Sequence, residues 1–167
     1  MPTATAYHFQ DDGSIPNNPT LPMLVYPTAV DLSSAAFELL FAQNQWTGGS
    51  WRNGIYPFPH YHSTAHEVLG IARGQAEVRF GGATGVVLTV KAGDVALLPA
   101  GCGHQNLGAT SDLLVVGAYP PGSDWDLCRG EAGERPRVIE NIANVPLPAT
   151  DPVGGLEGPV IEHWLKA

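Results

Sequence analysis

Three histidines and one glutamate are the residues of this 167-residue chain whose types and spacing could do chemistry: His60, His62, Glu67 and His104. On an extended strand, side chains at i and i+2 share a face, so His60 and His62 would aim two imidazoles at one point. Glu67 follows at the head of an apolar run, and His104 ends the segment Pro99-Ala100-Gly101-Cys102-Gly103-His104. Imidazole nitrogen and carboxylate oxygen together are a donor set that first-row transition metals favour. Adjacent strand residues face opposite ways, so only one of His66 and Glu67 enters such a site easily. Spacing favours Glu67, which carries Leu69 and Ile71 inward with it. His66 is the alternative, and otherwise a surface or supporting residue.

Other metal patterns fit poorly. His66-Glu67 lacks the second histidine of a metalloprotease helix, since Gly70 holds that position. Thr64 stands where a metallo-β-lactamase pattern would place aspartate. Cys102 reads as a small residue in a tight glycine-rich bend rather than a ligand. Tyr56 and Phe58 share the parity of His60 and could line a pocket, although core packing is the simpler role for them.

The elements that must position these residues are mostly short strands. Before them, residues 1–50 read as an N-terminal arm and a helix. Tyr7-His8-Phe9 and Leu21 to Tyr26 are short apolar runs between turn signals. From Asp31 to about Gln45 the period is helical, with Ala36, Phe37, Leu40 and Phe41 on one face, Ser33 or Ser34 as cap, and Gly48-Gly49 as terminator. Residues 51–120 hold the strands: Ile55 to Tyr61, Glu67 to Ala72, Ala76 to Phe80, Val86 to Val90, Val95 to Leu98 and Leu113 to Tyr119. Ala76, Val78 and Phe80 alternate with Glu77 and Arg79, the pattern of a half-buried strand. Gly81 to Gly85 is a hairpin loop. Residues 121–167, rich in proline, glycine and acid, read as an extended tail, with Val138-Ile139 and Val160-Ile161 able to pair at an edge and Trp125 and Trp164 as anchors.

Composition narrows the function. The formal net charge is −8, with only eight lysines and arginines, which argues against a nucleic-acid partner. No apolar run is long enough to span a membrane, and the N-terminus lacks the basic and apolar regions of a signal peptide. A soluble cytoplasmic protein is expected. Two cysteines, Cys102 and Cys128, do not make a disulfide framework. The 20 glycines and 15 prolines suit short strands joined by tight turns. The whole chain fits one domain.

Two spaced motifs carry a family resemblance. Gly54, His60, His62, Glu67 and Gly74 resemble the first motif of the cupin superfamily, and Gly93, Pro99, Gly101 and His104 the second. The second usually closes with asparagine, where this chain has Gly108; Asn106 is nearby but out of register. That asparagine is not a ligand in cupins, so the departure touches local turn structure. The flanks Asp11 to Pro19, His60 to Gly70 and Val116 to Gly122 resemble single-domain bacterial cupins of the YjlB type. The resemblance implies an all-β fold, a double-stranded β-helix or jelly-roll barrel, here with one covering helix and an extended C-terminal tail. It implies one divalent transition metal (Fe, Mn, Ni, Zn or Cu) on His60, His62, Glu67 and His104.

Three functional classes follow. One is a metal-dependent enzyme acting on a small oxygen-bearing molecule; cupin enzymes include dioxygenases, decarboxylases and isomerases. Another is a non-catalytic binding or sensing cupin. The third is a barrel with a purely structural metal. The enzyme is the leading expectation, with a small-molecule ligand and a homodimer formed over edge strands and the tail.

Overall fold

The computed structural model describes residues 1–31 and 33–166. Among the described residues, nine strands form two antiparallel sheets. They are β1 (Thr5–Tyr7), β2 (Met23–Tyr26), β3 (Ser50–Asn53), β4 (Glu67–Arg73), β5 (Gln75–Phe80), β6 (Val86–Lys91), β7 (Val95–Leu98), β8 (His104–Ala109) and β9 (Leu114–Ala118). The larger sheet runs β1-β2-β7-β4-β9-β3 and the smaller β6-β5-β8. The sheets face each other as a jelly roll, and no strand ladder joins them among the described residues.

Strand parity sorts the larger sheet into two apolar faces. Leu69 and Ile71 of β4 pack inward with Ala76, Val78, Phe80, Val90, Leu98 and Val115 to fill the space between the sheets. The alternate residues Val68 and Ala72 join Leu24, Leu97 and Val116 on the outer face. That face is covered by α1 (Ser34–Gln43), through Phe37 and Phe41, and by Val160 and Trp164 of the tail. A sheet buried on both sides explains why β4 is apolar at nearly every position rather than alternating. Gly70 is part of that packing: a Cβ there would lie 2.5 Å from the Phe37 ring.

The expected helix of Asp31 to Gln45 includes Leu32, which lies outside the described residues. Within the rest, Ser33 is the cap, its hydroxyl accepting from Ala36 N at 3.0 Å. Residues Ile55 to Tyr61 do not form the expected strand. Pro57 and Pro59 lack amide protons, and in place of a ladder this stretch makes isolated bridges, His60 with His104 and Tyr61 with Cys128.

The tail differs from an extended one. Val138-Ile139 and Val160-Ile161 do not pair at an edge. The first pair lies in a second helix, α2 (Arg137–Asn144), and Ile161 begins a π-helical turn (Ile161–Leu165). Val138 and Ile142 are the buried residues of α2, four apart, so its apolar period is helical and not alternating. Trp164 is an anchor, buried and donating its indole N–H to Pro22 O at 3.0 Å. Trp125 is not: it is 49% exposed. Asp151, fully buried, ties the tail to β2 by accepting from Tyr26 Oη at 2.7 Å and Val160 N at 2.9 Å. No helix among the described residues is long and apolar enough to cross a membrane.

Candidate metal centre

Three elements converge between the sheets. Glu67 opens β4, His104 opens β8, and the loop carrying His60 and His62 is bridged to His104 by paired backbone bonds, His60 N to His104 O at 3.1 Å and His104 N to His60 O at 2.9 Å. All four side chains are buried. Donor atoms of His62, Glu67 and His104 lie within 4.8 Å of one another. His62 Nε2 is 3.3 Å from Glu67 Oε2, and His104 Nε2 is 3.4 Å from Glu67 Oε1. His60 is not a member of that three-residue set. It stands beside it, its ring 3.9 Å from that of His104 between centroids.

Backbone carbonyls fix the three rings. His60 Nδ1 bonds Phe58 O at 2.9 Å, His104 Nδ1 bonds Cys102 O at 3.1 Å, and His62 Nδ1 bonds Asp126 O. A carbonyl only accepts, so each Nδ1 carries the proton and donates. When neutral, such a ring presents Nε2 as a lone pair, the arrangement that orients metal-ligating imidazoles. A divalent cation therefore fits the chemistry of this donor set.

The charges are strongly coupled. Burial pushes the Glu67 carboxyl up, but His62 and His104 outweigh it and hold Glu67 well below the usual carboxylate range. Burial disfavours the charged His62 ring, yet the Glu67 carboxylate and the Asp126 carbonyl raise it to about 9. Burial, with His104 adjacent, lowers His60 to about 3.

His66 takes the opposite face, as parity requires. Its Nδ1 accepts from Ala100 N at 2.9 Å and its ring lies 4.9 Å from that of Trp164. Cys102 is core: 2% exposed, with burial pushing its thiol up.

Sequence reasoning missed two supports of the site. Tyr119, just past β9, donates its hydroxyl to Glu67 Oε2 at 2.6 Å. Asp126, in the tail, accepts from Ser63 N at 2.6 Å and from the Ser63 hydroxyl, and so holds the loop that carries His62. Nothing in the spacing marks Asp126, because its partners lie about sixty positions earlier. The alternation through β9 does place Tyr119 on the side of β9 facing the site, one position beyond Ala118, which pairs with Val68.

A cavity of about 340 Å³ opens onto this cluster. His60, His62, Glu67 and His104 line it, together with Trp51, Tyr56, Leu69, Tyr119 and Trp125. Tyr56 is thus at the pocket and not in the core, while Phe58 stacks on it at 4.8 Å and carries Arg129 over its face at 3.8 Å.

The cupin family profile matches residues 51–119, which span both motifs. The uncharacterized protein YjlB of Bacillus subtilis (strain 168) is 40% identical over 160 residues, covering 96% of each chain. The chain belongs to the cupin family. Among solved structures, this cupin is similar to a DUF861 family protein of Thermotoga maritima, with 22% identity, TM-score 0.33, and 50% of this chain and 89% of that one covered. It is also similar to a conserved protein with a double-stranded β-helix domain from Klebsiella pneumoniae, with 17% identity, TM-score 0.35, and coverage of 77% and 80%.

Proposed function

We propose that this cupin is a metal-dependent enzyme acting on a small oxygen-bearing molecule, with one divalent transition metal (Fe, Mn, Ni, Zn or Cu) held by His60, His62, Glu67 and His104. The carrying observation is a buried His/Glu/His cluster that lines a cavity. A bound metal would supply Lewis-acid polarisation of an oxygen, and in redox-active form one-electron chemistry. The chain's own residues orient and enclose: the carbonyls of Phe58, Asp126 and Cys102 aim the three Nε2 atoms, Tyr119 holds Glu67, and the aromatic walls exclude water from a substrate. A cavity beside the ligands speaks against a purely structural, closed metal site. Oxygenation, decarboxylation and isomerisation are the reaction classes such a centre serves.

A second reading, a non-catalytic small-molecule binder, draws on one observation. Apart from the four site residues, the ionisable side chains lining the cavity are Arg52, Tyr56 and Tyr119. Arg52 is taken by Glu38 and Tyr119 by Glu67, so among the described residues only Tyr56 has no such partner to hold it from acid–base work.

Elemental analysis of the protein purified without chelator or added metal is the test. About one equivalent of Fe, Mn, Ni or Cu supports the enzyme and directs assays to oxygen uptake and small oxygenated acids. No metal, and none taken up on titration, removes this reading. Bound ligand recovered unchanged from a metal-loaded protein would favour the binder.

We also propose a cytoplasmic homodimer. The edge strands β6 and β8 expose Val87 and Leu107, apolar side chains of the kind an isologous interface covers. Light scattering at the 17.6 kDa monomer mass would remove the dimer.

A further inference from the structure

The walls of the cavity say more about its ligand than the donors do, and the inference rests on the reading of this cavity as a small-molecule site. Two large aromatic residues at the mouth, Tyr56 and Trp125, are each 49% exposed although they line a concavity. Trp125 is not loose. Thr64 Oγ1 donates to Asp124 O at 2.6 Å on one side of it, and Ser63 N donates to the Asp126 carboxylate on the other. Its ring lies 5.9 Å from that of Tyr119 at an interplanar angle of 10°, and meets His62 edge-on at 5.6 Å. A tail segment tied down on both flanks could have buried this indole as an anchor. Instead it leaves the ring half-exposed on the cavity wall, next to the donor cluster.

Charge points the same way. Among the described residues, Arg52 is the one cationic side chain on the walls besides the histidines, and it is paired with Glu38. A phosphate or an aliphatic dicarboxylate would find no second cation here. A flat apolar body would find Trp51, Tyr56 and Trp125, with Ile55 and Leu69 deeper in. The volume of about 340 Å³ is at the small end for ligand cavities and accommodates a single substituted ring.

We infer that the site takes a planar aromatic or conjugated molecule, neutral or singly negative, with oxygen donors at the end facing His62, Glu67 and His104 and its ring held between Tyr56 and Trp125.

Calorimetric titration with two probes tests this. Salicylate and lactate offer the same 2-hydroxycarboxylate oxygens, and only salicylate has a ring. Both are titrated into metal-free and Zn²⁺-loaded protein, with metal uptake measured separately by equilibrium dialysis. One good aromatic contact corresponds to about a tenfold preference. Salicylate is expected to bind at least about tenfold tighter than lactate. Trp125→Ala should abolish that preference and Trp125→Phe should keep most of it, the preference being the ratio of salicylate to lactate affinity in each variant. Equal affinity for the two probes, no binding of salicylate, or a preference unchanged in both Trp125→Ala and Tyr56→Ala overturns the inference. The metal reading fails separately. Salicylate preferred by a protein that takes up no zinc supports the aromatic wall and removes the metal, whereas zinc uptake without a preference does the reverse. Half-exposed residues are chosen so that the variants fold, checked by far-UV dichroism.

Discussion

Tyr119 and Glu67 share a 2.6 Å hydrogen bond across neighbouring strands, in which the phenol donates and the carboxylate Oε2 accepts. Trp51 Nε1 donates in turn to the Tyr119 oxygen at 3.2 Å, so the phenol is held from both ends. Glu67 thereby has a fixed orientation toward His62 and His104. Tyr119→Phe removes the donor and keeps the ring. We expect metal affinity to fall about tenfold, the low end for loss of a group that orients a ligand, and stability to fall by about 1–2 kcal/mol, since a buried acceptor loses its partner. Metal titration and urea unfolding check the two effects. Unchanged affinity would show that Glu67 needs no such support.

The donor cluster orders the ligand variants. His62→Ala and His104→Ala are each expected to lose most bound metal. His60→Ala should lose less, because His60 stands outside the three-residue set. Glu67→Gln should weaken binding more than His66→Gln, whose side chain faces Trp164 across the sheet. Equilibrium dialysis with elemental analysis gives the order directly. A reversal of the last pair would mean the wrong one of two adjacent residues has been assigned.

Asp126 fastens the tail to the loop of the site. Its carboxylate accepts from Ser63 N, the Ser63 hydroxyl and Thr64 N, and its carbonyl accepts from His62. Asp126→Ala leaves these side-chain-bound donors unpaired. We expect a loss of about 2–3 kcal/mol, from hydrogen bonds to a charged group, with metal affinity reduced as well. Asp126→Asn, which keeps an acceptor oxygen, should recover part of both. Equal losses in the two variants would show that charge alone matters there.

The residues that set the two motifs and the strands were legible because their information is local. Ala76, Val78 and Phe80 alternate along the chain, and in the structure they fill the interior. Parity admits only one of His66 and Glu67 to the site, and spacing selects Glu67. Trp125 was misplaced because an aromatic residue in a polar tail looks the same whether it is buried or held open. Val138 and Ile139 were ambiguous as a two-residue apolar pair; their helix is decided by Ile142 and by packing of Val138 beside Tyr61 and Ile15. Asp126 acts on residues more than fifty positions away, and such a partner has no period to reveal it; the alternation of β9 gives the side Tyr119 faces but not its bond to Glu67.

Glu134 offers a pH test at a distance from the donors. Its carboxylate accepts from Tyr61 Oη at 2.6 Å, Arg129 N at 2.8 Å and Gly130 N at 3.0 Å, closing the tail turn against the loop. Burial pushes Glu134 up, but these bonds outweigh it and hold the carboxyl below its ordinary 4.5. The unfolded chain thus takes up a proton at a higher pH than the folded one. Glu134 contributes its full stabilisation above about pH 4.5, and that contribution is lost as pH falls through the depressed folded value. Glu134→Gln removes the titration. The gap in unfolding free energy between wild type and Glu134→Gln should be widest near pH 7, narrow below about pH 4.5, and close in stronger acid. Urea unfolding of the metal-free protein across this range measures it. Parallel curves for the two proteins would mean that the Tyr61 and backbone donors do not distinguish carboxylate from amide, and that the tail turn is held by α2 packing instead.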